Sequence, residues 1–244
     1  MIPQGIISTF FRKPFLVTGH GGDVAELNRS VFYCLKKRCL RKAAAVTVVS
    51  QHLQNILKKT YGCQNAHIIP MGCNTSYFSP ENRKENFFSQ GHKKVVLFVG
   101  RLAEKKGTAY LIKAMQHVDA LLIIVGSGPM ENSCRTLVEK LQLHDKVQFL
   151  GPRPHTELRT IYASSDIFVA PSITAKNGDV EGFGLVILEA MASGLPVIAS
   201  NSGGITDIIS HEKNGLLAPE RDEKELAVHI NRLLYSPVFY RQLS

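Results

Sequence analysis

The sequence predicts an α/β fold built on parallel sheets, and three observations carry that expectation. Strand-like and helix-like runs alternate along the chain, as they do when each parallel strand is followed by a crossover helix. The strand-like runs are almost continuously apolar, which marks strands buried on both faces. Several of them end directly in glycine, the residue that most easily turns a chain off a sheet.

In chain order, 15–18 and 45–49 read as buried strands, with a helix from about 23 to 42 between them. Ser50 holds the place of a helix N-cap, and the helix after it stops before Gly62,. A short strand follows at 67–70. Residues 79–93 are polar and aperiodic, the best linker candidate,. Beyond them the alternation is cleaner, with strands at 95–99, 121–125, 147–150, 167–170 and 196–199. Helices are expected near 107–117, 130–142, 155–163, 184–193 and 222–235,. The expected organisation is a partial first domain over 1–79, a linker over 80–93, a second domain over 94–236 and a tail over 237–244.

Composition narrows the function classes. At 244 residues, with 44% hydrophobic and 20% charged residues, the chain can bury a substantial core as one large or two modest domains. No apolar run approaches the roughly 20 residues of a membrane span, and residues 1–11 lack the charged start and apolar core of a signal peptide,. The five cysteines are scattered, with no C-x-x-C pair, which argues against a disulfide framework or a zinc site and for a reducing compartment. The net charge of +9 is uneven: residues 1–90 hold twelve Lys/Arg and four Asp/Glu, residues 91–244 seventeen and sixteen. The excess centres on Lys36, Lys37, Arg38, Arg41 and Lys42. No nucleic-acid motif accompanies it, leaving an anionic membrane surface or a solvated helix face as its two readings.

In open parallel sheets ligands bind beyond the C-terminal ends of the strands, and the notable residues gather there. After the strand ending at Val99 comes Gly100-Arg101-Leu102-Ala103-Glu104-Lys105-Lys106-Gly107. Arg101 and Lys106 can bracket a diphosphate, one with forked donors and the other with a compact charge; in isolation a solvated basic turn is the stronger reading of them. The next strand ends in Gly126-Ser127-Gly128-Pro129, and the third in Gly151-Pro152-Arg153-Pro154-His155, where His155 reads as a helix start.

The richest stretch is Gly178-Asp179-Val180-Glu181-Gly182-Phe183-Gly184-Leu185-Val186-Ile187-Leu188-Glu189. The amides of Gly184, Leu185 and Val186 open a helix and suit an anion. Glu189, one turn in, leans back toward that end, where a carboxylate can accept from a ribose hydroxyl pair.

Glu181 and Glu189, eight positions apart, resemble the E-x7-E signature of the retaining nucleotide-sugar glycosyltransferases of family 4. The surroundings resemble that family too: Gly-Arg-Leu to Lys-Gly at 100–107, Gly-Ser-Gly-Pro at 126–129, 189–197, Gly203-Gly204-Ile205 and Asn214-Gly215-Leu216. In the first third, 18–23 resembles the acceptor-domain histidine motif and 69–72 an interdomain strand end; Asn74 and Asp207 stand where the family usually has aspartate and glutamate.

The resemblance implies a GT-B fold of two Rossmann-like parallel-sheet domains, the first incomplete here. It implies that Arg101 and Lys106 stabilise a leaving diphosphate, that Glu189 binds the donor ribose, and that Glu181 and His20 contact the donor sugar. Arg153 stands where backbone groups hold the base, and Gly100, Gly126 and Phe183 complete the donor surroundings. The expected reaction moves a sugar from a nucleoside diphosphate sugar to an acceptor hydroxyl with retention. No Asp-x-Asp occurs, so a metal ion is not required by the sequence, and no cofactor beyond the donor is expected.

The lead-in 174–179 resembles exopolysaccharide and colanic-acid-type transferases, which suggests a saccharide or lipid-linked saccharide acceptor. A cytoplasmic protein, peripheral at the inner face of the membrane, follows as the expected location. Because His20 lies so near the start, and residues 234–244 stop where the family usually continues with helices, a chain shortened at both ends is expected. Two further readings stand beside transfer: a non-catalytic nucleotide-sugar-binding fragment and a nucleotide-sugar epimerase of the same fold.

Overall fold

The computed structural model describes residues 13–25, 31–88 and 94–244. Their contacts divide the chain into two compact units. The smaller takes residues up to Met71 with Thr174–Phe183 and Gly203–Ile208; the larger takes Gly72–Ile173, Gly184–Ser202 and Ile209–Ser244. The chain thus passes into the larger unit at Met71–Gly72, ahead of the polar stretch, of which residues 89–93 lie outside the described residues.

The smaller unit holds a parallel sheet of three described strands, β1 (Leu16–Gly19), β2 (Ala45–Val48) and β3 (Ala66–Ile68), in that spatial order. Helix α1 (Gly22–Ala25) follows β1 and α2 (Val31–Lys42) precedes β2; the middle of the helix expected over 23–42 lies outside the described residues. Ser50 caps α3 (Gln51–Ile56) as its position predicts: its extended backbone lets the hydroxyl accept from the Leu53 amide at 3.2 Å,. The helix widens into a π-turn over Leu57–Tyr61 and stops at Gly62, whose φ is 69°.

The larger unit is built on six parallel strands: β4 (Val95–Val99), β5 (Leu121–Val125), β6 (Val147–Gly151), β7 (Ile167–Ala170), β8 (Val197–Ser200) and β9 (Leu216–Ala218). Their spatial order is β6-β5-β4-β7-β8-β9. From β4 the chain works outward to one edge, then returns to β7 and works outward to the other. Between β4 and β7 therefore lies the topological switch point, where open α/β sheets form their ligand crevice.

The connecting helices are α4 (Thr108–Ala114), α5 (Glu131–Lys140), α6 (His155–Ala163), α7 (Leu185–Ala192) and α8 (Glu223–Tyr235). Alternation along each strand splits the core. Val96, Phe98, Leu122, Ile124, Val169 and Ile198 pack with Leu111, Ile112, Val138, Leu226 and Ile230 of α4, α5 and α8. The intervening Leu97, Ile123 and Phe168 are as fully buried, with the ring of Tyr162 of α6 tilted against Phe168 at 5.7 Å between centroids.

Two elements were not expected from the sequence. Strand β9 has three residues, too few for its alternation to show. The stretch expected as a tail forms α9 (Pro237–Leu243), whose Tyr240 hydroxyl donates to the Asp166 carbonyl at 2.9 Å and whose Leu243 joins the core. No helix among the described residues is long and apolar enough to cross a membrane, and none of the five cysteines is in a disulfide.

Candidate functional site

The candidate residues fall into two groups. Gly100, Arg101, Lys106, Gly126, Arg153, Gly184, Leu185, Val186 and Glu189 belong to the larger unit, and His20, Glu181 and Phe183 to the smaller.

In the larger unit, backbone bonds lace together the loops that leave β4, β5, β6 and β7. The Gly100 amide donates to the Val125 carbonyl and the Leu102 amide to Ser127, each at 2.9 Å; the Gly126 amide donates to Gly151 at 2.9 Å and the Ile173 amide to Lys105 at 2.8 Å. Such closeness depends on glycine. A methyl group at Gly126 would lie 2.0 Å from the Gly100 oxygen, and one at Gly107, whose φ is 64°, would lie 1.8 Å from the Pro171 oxygen. Both are far inside contact distance.

These loops place the cations. Arg101 is exposed directly beyond β4, while Lys106 is half-buried on a 3-10 turn closed by Gly107. Its stem folds back over the strand end: a methyl group at Gly100 would lie 3.8 Å from Lys106 Cε. The two basic residues thus flank the C-terminal end of β4 at the switch point. Arg153 follows β6 and is exposed, its side chain in a 3.4 Å ion pair with Glu157.

Helix α7 begins at Gly184, with φ of 100°, and among the described residues no side chain caps it and no acid stands in its first turn. Its opening amides and dipole are therefore not neutralised by a side chain of the helix itself. Leu185 and Val186 are half-buried there.

Glu189 is 6% exposed, which rules out an ordinary solvated carboxylate. The fully buried Tyr162 donates its hydroxyl to Glu189 Oε2 at 2.9 Å. Burial raises the Glu189 pKa, while the Tyr162 hydrogen bond and the charge of His155 oppose the rise,. Cys73 is close enough that the same carboxylate adds to the burial raising its thiol pKa. Tyr162 escaped the sequence reading because Leu158, Ile161 and Ala163 beside it make it look like plain core. The available signal was chemical: a buried tyrosine hydroxyl requires a partner.

In the smaller unit the structure brings the His20 and Glu181 loops together. A methyl group on Gly182 would lie 2.5 Å from the His20 oxygen and 2.9 Å from the Gly21 Cα. The Gly204 amide donates to the Glu181 carbonyl at 2.9 Å. Ser50, fully buried, donates its hydroxyl to the Gly182 carbonyl at 2.7 Å while capping α3, and the Asp207 carboxylate accepts from the Gln51 amide. His20 is exposed, Glu181 half-buried and Phe183 buried. Ser50→Ala removes the cap and orphans the Gly182 carbonyl together, so it is expected to destabilise the chain by about 2–3 kcal/mol. Chemical denaturation reads this; a change below roughly 0.5 kcal/mol, typical of a neutral surface site, would reject the double role.

A doubly wound sheet with two cations and, among the described residues, a helix N-terminus without a side-chain cap beyond its strand ends defines an α/β protein with an anion-binding crevice at its switch point,. Comparison with known proteins agrees. The family described as glycosyl transferases group 1 matches residues 79–244. WcaL of Salmonella typhimurium, named for colanic acid biosynthesis, is 34% identical over 241 residues, covering 93% of this chain and 58% of its own length. A GDP-mannose-dependent alpha-(1-6)-phosphatidylinositol monomannoside mannosyltransferase of Mycobacterium tuberculosis is 33% identical over 232 residues, covering 90% and 60%. The crystal structure of Anabaena HepE with UDP and glucose superposes with a TM-score of 0.87 at 25% identity, covering 98% of this chain and 67% of that one. The chain belongs to the group 1 glycosyltransferases and resembles family 4 within them. It spans about three fifths of the length of the curated relatives it matches.

Proposed function

We propose that the chain carries the donor-binding part of an enzyme that moves a sugar from a nucleoside diphosphate sugar to an acceptor hydroxyl with retention, in exopolysaccharide or other cell-surface glycan synthesis. The observation that carries this reading is the position of Arg101 and Lys106 at the end of the central strand, on loops held together by glycine contacts. The barrier to such a transfer lies largely in negative charge gathering on the departing diphosphate, and preorganised cations and amides lower it. Arg101, Lys106 and the amides of Leu185 and Val186 supply these, Glu189 holds the donor ribose, and His20 and Glu181 contact the sugar. The colanic acid relative and the neighbour solved with UDP and glucose support the substrate class.

Calorimetric titration of the chain with UDP, GDP and ADP, beside a transfer assay from the corresponding sugar donors, tests the reading. Saturable binding of at least one nucleoside diphosphate is expected, with transfer unchanged by EDTA because protein groups carry the positive charge. No binding of any of the three would reject the donor site, binding without transfer would leave a binding module, and isomerised sugar without acceptor would indicate an epimerase.

A lipid-linked saccharide acceptor at an anionic membrane surface is part of the proposal. Residues 31–71 contain seven Lys/Arg and no Asp or Glu. Tyr33 joins the two basic segments, its hydroxyl donating to the Thr60 carbonyl at 2.8 Å and its ring stacked 5.3 Å from Tyr61. Arg38, Arg41, Lys42, Lys58 and Lys59 are exposed, and each basic residue near an anionic bilayer contributes about 1 kcal/mol. Flotation with phosphatidylglycerol vesicles at low salt, lost at high salt, is expected; failure to float at low salt would remove the membrane from the proposal.

A further inference from the structure

Tyr162 is buried completely, yet nothing about packing alone calls for a hydroxyl at this place. Its ring lies edge-on to Phe78 at 5.6 Å and tilted against Phe168 at 5.7 Å. Phenylalanine would satisfy both contacts. The hydroxyl has one partner among the described residues, the Glu189 carboxylate at 2.9 Å. A hydrogen bond to a buried carboxylate does more than fill a valence. It fixes the torsion of a side chain that sits one turn inside α7, and it favours the ionised form.

We propose that Tyr162 is a positioning residue for donor recognition: its hydroxyl pins one oxygen of Glu189 and orients the carboxylate to accept from the donor ribose. This rests on the reading of Glu189 as the ribose ligand. The groups facing Glu189 come from two other segments. Tyr162 and His155 approach from α6, and Cys73, whose thiol donates to the Leu188 carbonyl at 3.4 Å, from the stretch that opens the larger unit. His155 and Tyr162 both favour the charged carboxylate, whereas burial opposes it. Phe78 stands 6.4 Å from the His155 ring and 5.6 Å from that of Tyr162, so these three rings pack as one aromatic cluster.

The sign of the pH effect follows. Ribose recognition needs an acceptor, the ionised Glu189, so binding falls as pH drops through the pKa of the folded carboxyl. Removing the Tyr162 hydroxyl takes away a group that lowers this pKa, which moves the acid limb of binding to higher pH. A general loosening of the fold would weaken binding equally across pH and for ribose and deoxyribose alike.

The test uses Tyr162→Phe and Glu189→Gln in the full chain, titrated with UDP and GDP and with dUDP and dGDP between pH 5 and 8. In the unaltered chain the ribonucleotide is expected to bind better than its 2′-deoxy form. Tyr162→Phe is expected to shrink that preference at least about threefold, as loss of a hydrogen bond to a charged group implies, and to shift the acid limb upward. Infrared titration of the carboxyl band in the ligand-free variant provides a reading independent of binding, with the Glu189 midpoint expected to rise. If Glu189→Gln leaves the ribose preference intact, or no nucleotide binds the unaltered chain, the ribose reading of Glu189 fails and the proposal with it. If Glu189→Gln abolishes the preference while Tyr162→Phe changes neither preference, acid limb nor infrared midpoint, the role of Tyr162 alone is overturned.

Discussion

Lys106→Ala is expected to lower transfer by about 10²–10³, the loss seen when one preorganised group facing developing negative charge is removed. Packing and turn geometry hold the lysine in place. Its stem lies over Gly100 at the end of β4, and the 3-10 turn that carries it is closed by Gly107. The effect belongs to charge on the diphosphate, so affinity for UDP or GDP is expected to fall while affinity for uridine or guanosine changes little. Lys106→Arg is expected to recover only part of the loss, because a planar fork does not replace a compact ammonium on a turn this tight. Steady-state transfer, with nucleoside and nucleoside diphosphate titrations beside it, checks the result. Equal losses for nucleoside and diphosphate would show that Lys106 supports the fold of the loop rather than the phosphates.

Gly107→Ala is expected to be the most damaging single methyl group in the larger unit. The added carbon would sit 1.8 Å from the Pro171 oxygen and 2.9 Å from its carbonyl carbon, on a backbone whose φ of 64° disfavours any side chain,. Both atoms struck are main chain, so no side-chain rotation relieves the clash. The loop after β4 must move away from the loop after β7, breaking the bond from the Ile173 amide to the Lys105 carbonyl. A destabilisation of about 3 kcal/mol or more is expected, at the upper end of single substitutions, together with loss of nucleoside diphosphate binding. Denaturant melts and calorimetry measure the two; unchanged stability would mean that the two loops are free to separate. Gly178→Ala is a fitting comparison, since a methyl group there meets nothing within 4 Å although its φ is also positive.

Much of this architecture was legible in the sequence because parallel strands buried on both faces leave a strong local trace. The runs at 95–99, 121–125 and 167–170 are apolar at every position, and the strands occupy those residues. The helix at 155–163 and the Ser50 cap were legible for similar reasons, one from its apolar spacing and the other from the chemistry of an orphaned amide. Less was legible where an element owes its place to distant contacts. Strand β9 is three residues long and held by pairing with β8. Helix α9 is held by Tyr240 on Asp166, with Leu243 in the core and Phe239 3.8 Å beneath the Arg232 guanidinium.

For the site the division is similar. Glycine after a strand, a basic pair five positions apart and two glutamates eight positions apart can be read from the chain, since spacing is a property of sequence. Which carbonyl Gly126 and Gly107 must clear, that Ser50 holds Gly182 across 132 positions, and that Tyr162 holds Glu189 across 27 cannot. By itself the sequence determined the periodicity, the strand ends and the residue types placed at them, all consequences of local propensity and burial on both faces. The tertiary structure alone decided the strand order that puts β4 beside β7 and the hydrogen bonds that aim each side chain. Those depend on which distant segments share one buried volume, and no local pattern encodes that.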